Sequence, residues 1–431
     1  MKHAHILTLL ISVSALVTHA QDIKEQEVKR IITTLAADDM EGRKTFEPGI
    51  EKAAQFLEKE YAKAGLQPLP GAASFRQAFH RFNTRPGPRQ VHVGNSQIGA
   101  ERVIMLGVAP SIDWNQNSDV DVQTIPASEP FYDYLRKLRD VKKNTLVWVD
   151  TAHTEDFNKY YENIQQRGGR NLDSLASVVL VLKGPEDTDF KTWDVKASQQ
   201  VTPLYLSNIV GMIKGKTKPD EYVIFSGHYD HLGIVKPVEK DSIANGADDD
   251  ASGVTAVVML AQYYKQHPPA RSLIFVAFTA EEIGGYGSRY FSQRQDPDKV
   301  VAMFNIEMIG KESKFGKNSA FITGYERSDF GKILEKNLKN SIFHFYPDPY
   351  PEQSLFYRSD NATLAKQGVP AHTISTDQID SDKLYHSVGD EVSTLDIRNI
   401  TNTIQAIAIS ARSIVAGTDT PTRIDKDGLK R

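Results

Sequence analysis

The sequence predicts an α/β protein with a mixed, largely parallel central sheet flanked by helices and a smaller α/β module inserted near its start. Three observations carry this. First, short apolar runs of strand length recur after Leu206: "YVIFSG" (Tyr222 to Gly227), "SLIFVAFT" (Ser272 to Thr279), "VVAMFNI" (Val300 to Ile306) and "PAHTIS" (Pro370 to Ser375). Second, helical stretches lie at about Gly253 to His267 and Asp396 to Ala416. Apolar strands alternating with helices imply a parallel sheet covered on both faces. Third, the stretch from about Ser74 to Gln200 changes texture, with more turns and polar residues.

The chain begins with Lys2, the apolar run Ile6 to Val17, and "THA" ending at Ala20. A basic start, a short apolar core and small residues before a cleavage point read as a secretory leader over residues 1–20. The expectation is a secreted or periplasmic protein. The apolar run is too short to span a bilayer, so no membrane insertion is expected once the leader is removed. Two helices follow. Val28, Ile31, Ile32 and Leu35 share one helical face, and after Pro48 so do Ile50, Ala53, Ala54, Leu57, Tyr61 and Ala64. The main α/β part is therefore expected in two pieces, 21–73 and 201–431, around an inserted module at 74–200. Inside that module, strand "TLVWV" (Thr145 to Val149), an amphipathic stretch from Phe157 to Ile164 and strand "VVLVL" (Val178 to Leu182) form one clear unit.

With 431 residues, 40% hydrophobic and 25% charged, the chain suits one large or two moderate domains. Its net charge is −4 with no long basic run, so nucleic acid is not an expected partner. It has no cysteine. Disulfides, thiolate metal sites and a cysteine nucleophile are excluded, and any transition metal must be held by His, Asp and Glu.

Each main strand runs out into polar residues, and ligands of such sheets bind beyond the carboxyl ends of the strands. His228, Asp230 and His231 follow the first strand, Glu281 and Glu282 the second, and Glu307 the third. The triplet Asp248–Asp250 precedes a helix between the first two, and Tyr385 and His386 lie in a loop before the last helix. At about 5 Å and an effective dielectric near 20, each like-charge pair in the triplet costs roughly 3 kcal/mol. Singly, each of these residues has an ordinary surface role. Two histidines and several carboxylates at one sheet edge, without cysteine, match divalent metal ligation. Two adjacent cations would make the acidic run tolerable, with one aspartate bridging them.

"GHYDHLG", "NGADDDASG", "TAEEIGGYGS", "NIEMIG" and "LYHSVGD", in this order, resemble the co-catalytic zinc aminopeptidase family of secreted exopeptidases. "LAADDMEGRKTFEPGIEKAAQFLEKEYAKAGLQPL" is similar to that family's opening segment. The resemblance implies a zinc-exopeptidase fold and two Zn2+ ions per chain. His228 and Glu307 would bind one, Glu282 and His386 the other, and Asp249 would bridge them. It further implies Asp230 as hydrogen-bond acceptor for His228, Glu281 as general base, Tyr385 as oxyanion donor, and a cis peptide after Asp249. The chain departs from the family pattern at Glu307, where Asp is usual, and at Asn361, where His is frequent. The implied activity is hydrolysis of N-terminal residues from peptides with a free N-terminus. A carboxypeptidase or dipeptidase, a glutaminyl-cyclase-like enzyme and a non-catalytic binding ectodomain are the alternatives on this fold. The inserted module is expected to overhang the cleft. Side-chain preference and oligomeric state are not legible.

Overall fold

The computed structural model describes residues 23–138, 141–172, 176–185, 187 and 190–429, so the leader expected at 1–20 lies outside the described residues. Helix α1 (Glu25–Leu35) buries Val28, Ile31, Ile32 and Leu35, and α2 (Pro48–Lys63) buries Ala53, Ala54, Leu57 and Tyr61. Both faces are the ones their apolar spacing marks. Proline at the first turn of α2 forfeits an amide that has no partner there anyway.

The central sheet contains β1 (Arg76–Val93), β2 (Trp193–Ile213) and β3 (Lys218–His228). After helix α3 (Gly253–Gln266) come β4 (Arg271–Phe278), helix α4 (Tyr286–Ser292) and β5 (Val300–Ile306). Then follow β6 (Ser319–Ile322), helix α5 (Phe330–Asn337), β7 (His344–Pro347), β8 (Ala371–Ser375) and helix α6 (Ile397–Ser410). The spatial order is β7-β6-β8-β5-β3-β4-β2-β1. β3 runs parallel to β4 and β5, and β5 to β8, whereas β2 joins β4 and β6 joins β8 antiparallel. The sheet is mixed with a parallel centre, as its apolar strands predict.

Both faces of that centre are covered. On one face Phe225 stacks between Phe275 (5.6 Å) and Phe304 (4.9 Å), packed with Val254, Val257 and Ala261 of α3. On the other, Ile224, Ile274 and Met303 meet Phe291 of α4 and Leu364. Because β4 and β5 flank β3 on opposite sides, the chain turns both ways from β3. Its carboxyl end is therefore a crevice.

β1 and β2 form a long antiparallel ribbon, from Arg76 opposite Ile209 to Val93 opposite Trp193, irregular between Pro86 and Arg89. At its far end sits a second sheet in the order Val103–Leu106, Val178–Leu182, Thr145–Val149, Asp121–Ile125. Helix Thr154–Arg167 packs on it through Phe157 and Ile164. The ribbon crosses the boundary drawn at residues 200 and 201, because Ile209 to Ile213 of β2 pair with β4 in the central sheet. No helix among the described residues is long and apolar enough to cross a membrane.

Candidate metal centre

All the residues singled out at the strand ends meet at the carboxyl edge of β3, β4 and β5. His228 is the last residue of β3, and Glu307 is the first residue beyond β5. Glu281 and Glu282 occupy the turn between β4 and α4. The aspartate triplet lies in an irregular turn, Ala247–Ser252, whose Asp249–Asp250 peptide is cis, as the resemblance implies. Tyr385 and His386 approach from the loop between β8 and α6, their rings stacked 3.9 Å apart.

The three aspartates have separate tasks. Asp250 accepts the amides of Gly253 (3.0 Å) and Met308 (3.1 Å) on one oxygen and that of His228 (3.1 Å) on the other. Asp248 accepts the amide of Gly310 at 2.7 Å. Both act as braces between strands, and Gly253 allows this closeness, because a Cβ there would overlap the Ile306 carbonyl and the Asp250 carboxylate. Asp249 alone turns to the imidazoles. Its Oδ1 is 3.1 Å from His228 Nε2, and its Oδ2 is 3.2 Å from His386 Nε2 and 3.7 Å from His231 Nδ1.

Two donor groups share Asp249: His228 with Glu307, and His231 with Glu282. His386 Nε2 completes the second group, 3.2 Å from Glu282 Oε2. That group thus holds two imidazoles, since His231 Nδ1 is also 2.8 Å from Glu282 Oε1. His231 stands inside "HYDHLG", so the sequence contained the signal, but nothing in its spacing ranks it above its neighbours.

The donors suit a cation. Glu307 Oε2 is buried without a hydrogen-bond partner among the described residues, and His228 Nε2, also buried, faces the Asp249 carboxylate at 3.1 Å without hydrogen-bond geometry. Buried polar atoms left unpaired cost free energy unless something else meets them. Carboxylates and imidazoles without thiolates suit zinc and related divalent ions.

Electrostatics agree with this grouping. Burial opposes ionisation of Asp249, but His231, His228 and His386 outweigh it and hold its carboxyl well below the usual range. Burial disfavours the charged form of His386 too, yet Asp249 and Glu282 raise it to about 10. Glu281 goes the other way. Burial pushes its carboxyl well above the usual range, and His228 offsets only part of that. Glu282 is buried too, but His231 and His386 hold its carboxyl below the usual range, so the two neighbouring glutamates are driven apart, a pattern that separates a proton carrier from a ligand.

One expected contact falls elsewhere. The hydrogen bond fixing His228 Nδ1 is at the backbone carbonyl of Asp230 (3.0 Å), while the Asp230 carboxylate stands 3.9 Å away. That carboxylate is occupied with the amides of Glu281 (3.0 Å) and Glu282 (3.4 Å) and the hydroxyl of Thr45 (3.0 Å). Asp230 thus anchors the two-glutamate turn and holds His228 through its main chain.

Residues outside the expected set complete the frame. Asp390 accepts the amides of Asp248 (2.9 Å) and Asp249 (3.0 Å). Arg43 is fully buried and donates to the carbonyls of Leu35 (2.8 Å), Tyr229 (2.9 Å), Asn245 (2.5 Å) and Gly246 (2.8 Å). No spacing rule could have found Arg43, because three of those acceptors lie far along the chain. Asn361 donates to the carbonyls of Phe356 and Ala371 and accepts from Thr373, a structural bracket beneath the site.

A cavity opens on the donors, lined by Asp249, Glu281, Glu307, Tyr385, His386 and residues of the β6 and β8 ends. No described residue of 74–200 lines it. The inserted module touches the site's margin only at the ribbon root, where Phe79 and Leu206 pack with Ala280 and Tyr286.

An α/β sheet with a buried carboxylate–imidazole centre at the carboxyl ends of its strands defines a metallohydrolase-type architecture. Residues 208–410 match the model of peptidase family M28. A "Probable zinc metalloprotease" of Pyricularia oryzae is 35% identical over 284 residues, covering 62% of this chain and 53% of the relative. The chain thus spans about half the length of that relative (53%). An aminopeptidase from Aneurinibacillus sp. strain AM-1 superposes with a TM-score of 0.52 at 16% identity, over 95% of this chain and 97% of that one. A zinc aminopeptidase from Bacillus subtilis does so with a TM-score of 0.53 at 14% identity, over 94% and 98%. These two likenesses show the fold.

Proposed function

We propose that the protein is a di-zinc aminopeptidase that removes N-terminal residues from peptides, exported by way of the leader at residues 1–20. The observation that carries the proposal is the division of Asp249. Its two oxygens face different imidazoles, so one carboxylate serves two donor groups. His228 and Glu307 would hold one ion, and Glu282 and His386, with His231 beside them, the other. Two zinc ions so held would polarise the scissile carbonyl and lower the pKa of a water.

The rest is the work of side chains. Glu281 lines the cavity with an upward-shifted carboxyl, suited to take a proton from the attacking water and return it to the leaving amine. Tyr385 keeps its hydroxyl proton, because burial and the nearby carboxylates push its pKa up. It is placed to donate to the oxygen on which charge develops, a contact worth about 3 kcal/mol per donor. Asp230 fixes the turn that carries Glu281 and Glu282.

Arg358 favours a second reading. Its exposed side chain lines the same cavity, and a guanidinium there suits a terminal carboxylate, as a carboxypeptidase or dipeptidase requires. The full donor set and Glu281 speak against a glutaminyl-cyclase-like enzyme or a non-catalytic ectodomain.

The deciding experiment uses zinc-loaded full chain and one good peptide in three forms. Acetylating its N-terminus should abolish cleavage, and amidating its C-terminus should change little. The reverse pattern selects the carboxypeptidase reading. Metal analysis of the same active preparation should give two ions per chain, and a count near one would remove the di-zinc proposal. N-terminal sequencing of exported protein should begin at Gln21.

A further inference from the structure

We propose that Asp377 forms the acidic end of the substrate side-chain pocket and selects peptides whose N-terminal residue is lysine or arginine. The proposal rests on the aminopeptidase reading above and names its substrate class. The cavity is lined by Glu281 and Glu307, and also by Met308, Phe321, Ser375 and Asp377. Asp377 follows β8 by two residues, so the strand itself delivers it to the cavity. Its side chain is 3% exposed, and its Oδ1 is buried without a hydrogen-bond partner among the described residues. A buried, unpaired carboxylate oxygen is a costly feature unless a donor arrives there.

The surroundings specify a cationic donor. Carboxylate oxygens of Asp248, Asp377 and Asp382 lie within 4.8 Å of one another. One ammonium serves this group: Lys311 Nζ is 2.6 Å from Asp382 and 3.4 Å from Asp248. One lysine faces three carboxyl groups, and Asp377 is the one of the three that lines the cavity. A divalent ion fits less well. Lys311 already sits against two of the three carboxylates, and hard divalent ions require about six or more oxygens. Burial raises the Asp377 carboxyl to about 8, with Asp248 and Asp382 adding to it. An ammonium or guanidinium at Oδ1 would relieve that cost. Arg358, the opposing charge on the cavity wall, is exposed and so screened by solvent.

Lysyl- and norleucyl-p-nitroanilide share a chain length and differ in the terminal charge, so the zinc-loaded full chain is assayed with both. The lysyl substrate should have the higher kcat/KM by about tenfold or more, the scale of one charged hydrogen bond. In Asp377→Asn that ratio should fall toward one, and in Asp377→Glu it should stay in favour of lysine. A wild-type ratio at or below one overturns the proposal, whether or not the variants fold. So does an unchanged ratio in folded Asp377→Asn. Either result leaves the aminopeptidase reading standing, whereas hydrolysis of neither anilide by protein that cleaves N-acetylated peptides removes both.

Discussion

The carboxylate of Asp390 accepts the backbone amide of Asp249 at 3.0 Å, although 141 positions separate them. Its other oxygen accepts the amide of Asp248 at 2.9 Å, and its carbonyl accepts that of Ala247 at 3.1 Å. Asp249 is thus held from behind by the loop that also supplies His386. Asp390→Ala should weaken metal binding by about 10- to 100-fold, as loss of an outer partner does. Asp390→Asn, which keeps one acceptor, should lose less. Competition with a graded chelator measures both, and equal affinity in Asp390→Ala and wild type would remove this role.

Glu281 and Glu282 adjoin in sequence and should fail differently. Glu281→Gln should retain metal and melting temperature while losing about 100- to 10,000-fold in kcat. Glu282→Gln should instead lose metal, because Glu282 touches both His231 and His386. Metal content and kcat measured on each variant decide. Metal loss in Glu281→Gln would exchange the two assignments.

Arg43 ties α1 and the triplet turn to the end of β3. Arg43→Ala would leave the carbonyls of Leu35, Tyr229, Asn245 and Gly246 without their donor. Each stranded buried acceptor costs about 1–3 kcal/mol. A total loss of about 3 kcal/mol or more is expected in urea unfolding, even if water recovers some acceptors. A loss below about 1 kcal/mol would show that the carbonyls find other donors.

His372 on β8 is fully buried, with Nδ1 2.9 Å from the Thr323 carbonyl and Nε2 2.8 Å from Ser328 Oγ. Burial lowers its pKa from 6.5 to about 4. Between those values the unfolded chain binds a proton that the folded chain refuses. The stability tied to its neutral form is therefore complete above pH 6.5 and declines as pH falls toward 4, by about 3 kcal/mol in all. His372→Gln should flatten this limb of the stability–pH curve between pH 7 and 4.5. Parallel curves for the two proteins would refute it.

Much of the site is legible in sequence because strand ends are local events. "YVIFSG", "SLIFVAFT" and "VVAMFN" each announce an apolar strand, and the next polar residue must emerge at the sheet edge. The β1–β2 ribbon was not legible. Its first leg carries Pro86, Gly87 and Pro88 among several arginines and pairs with residues 100 or more positions away. Neither local propensity nor alternation marks such a strand.

The sequence by itself determined the donor types, their order along the chain and the sheet edge on which they fall. These follow from side-chain chemistry and from apolar periodicity, which act over a few residues. Only the tertiary structure decided which oxygen of Asp249 meets which imidazole, that His228 is fixed by a carbonyl, and that Asp377 faces the cavity. The Asp249 contacts join residues tens of positions or more apart, and even the short-range His228–Asp230 contact is held by the surrounding turn. Their geometry is set by packing of the whole sheet, which no short window of sequence contains.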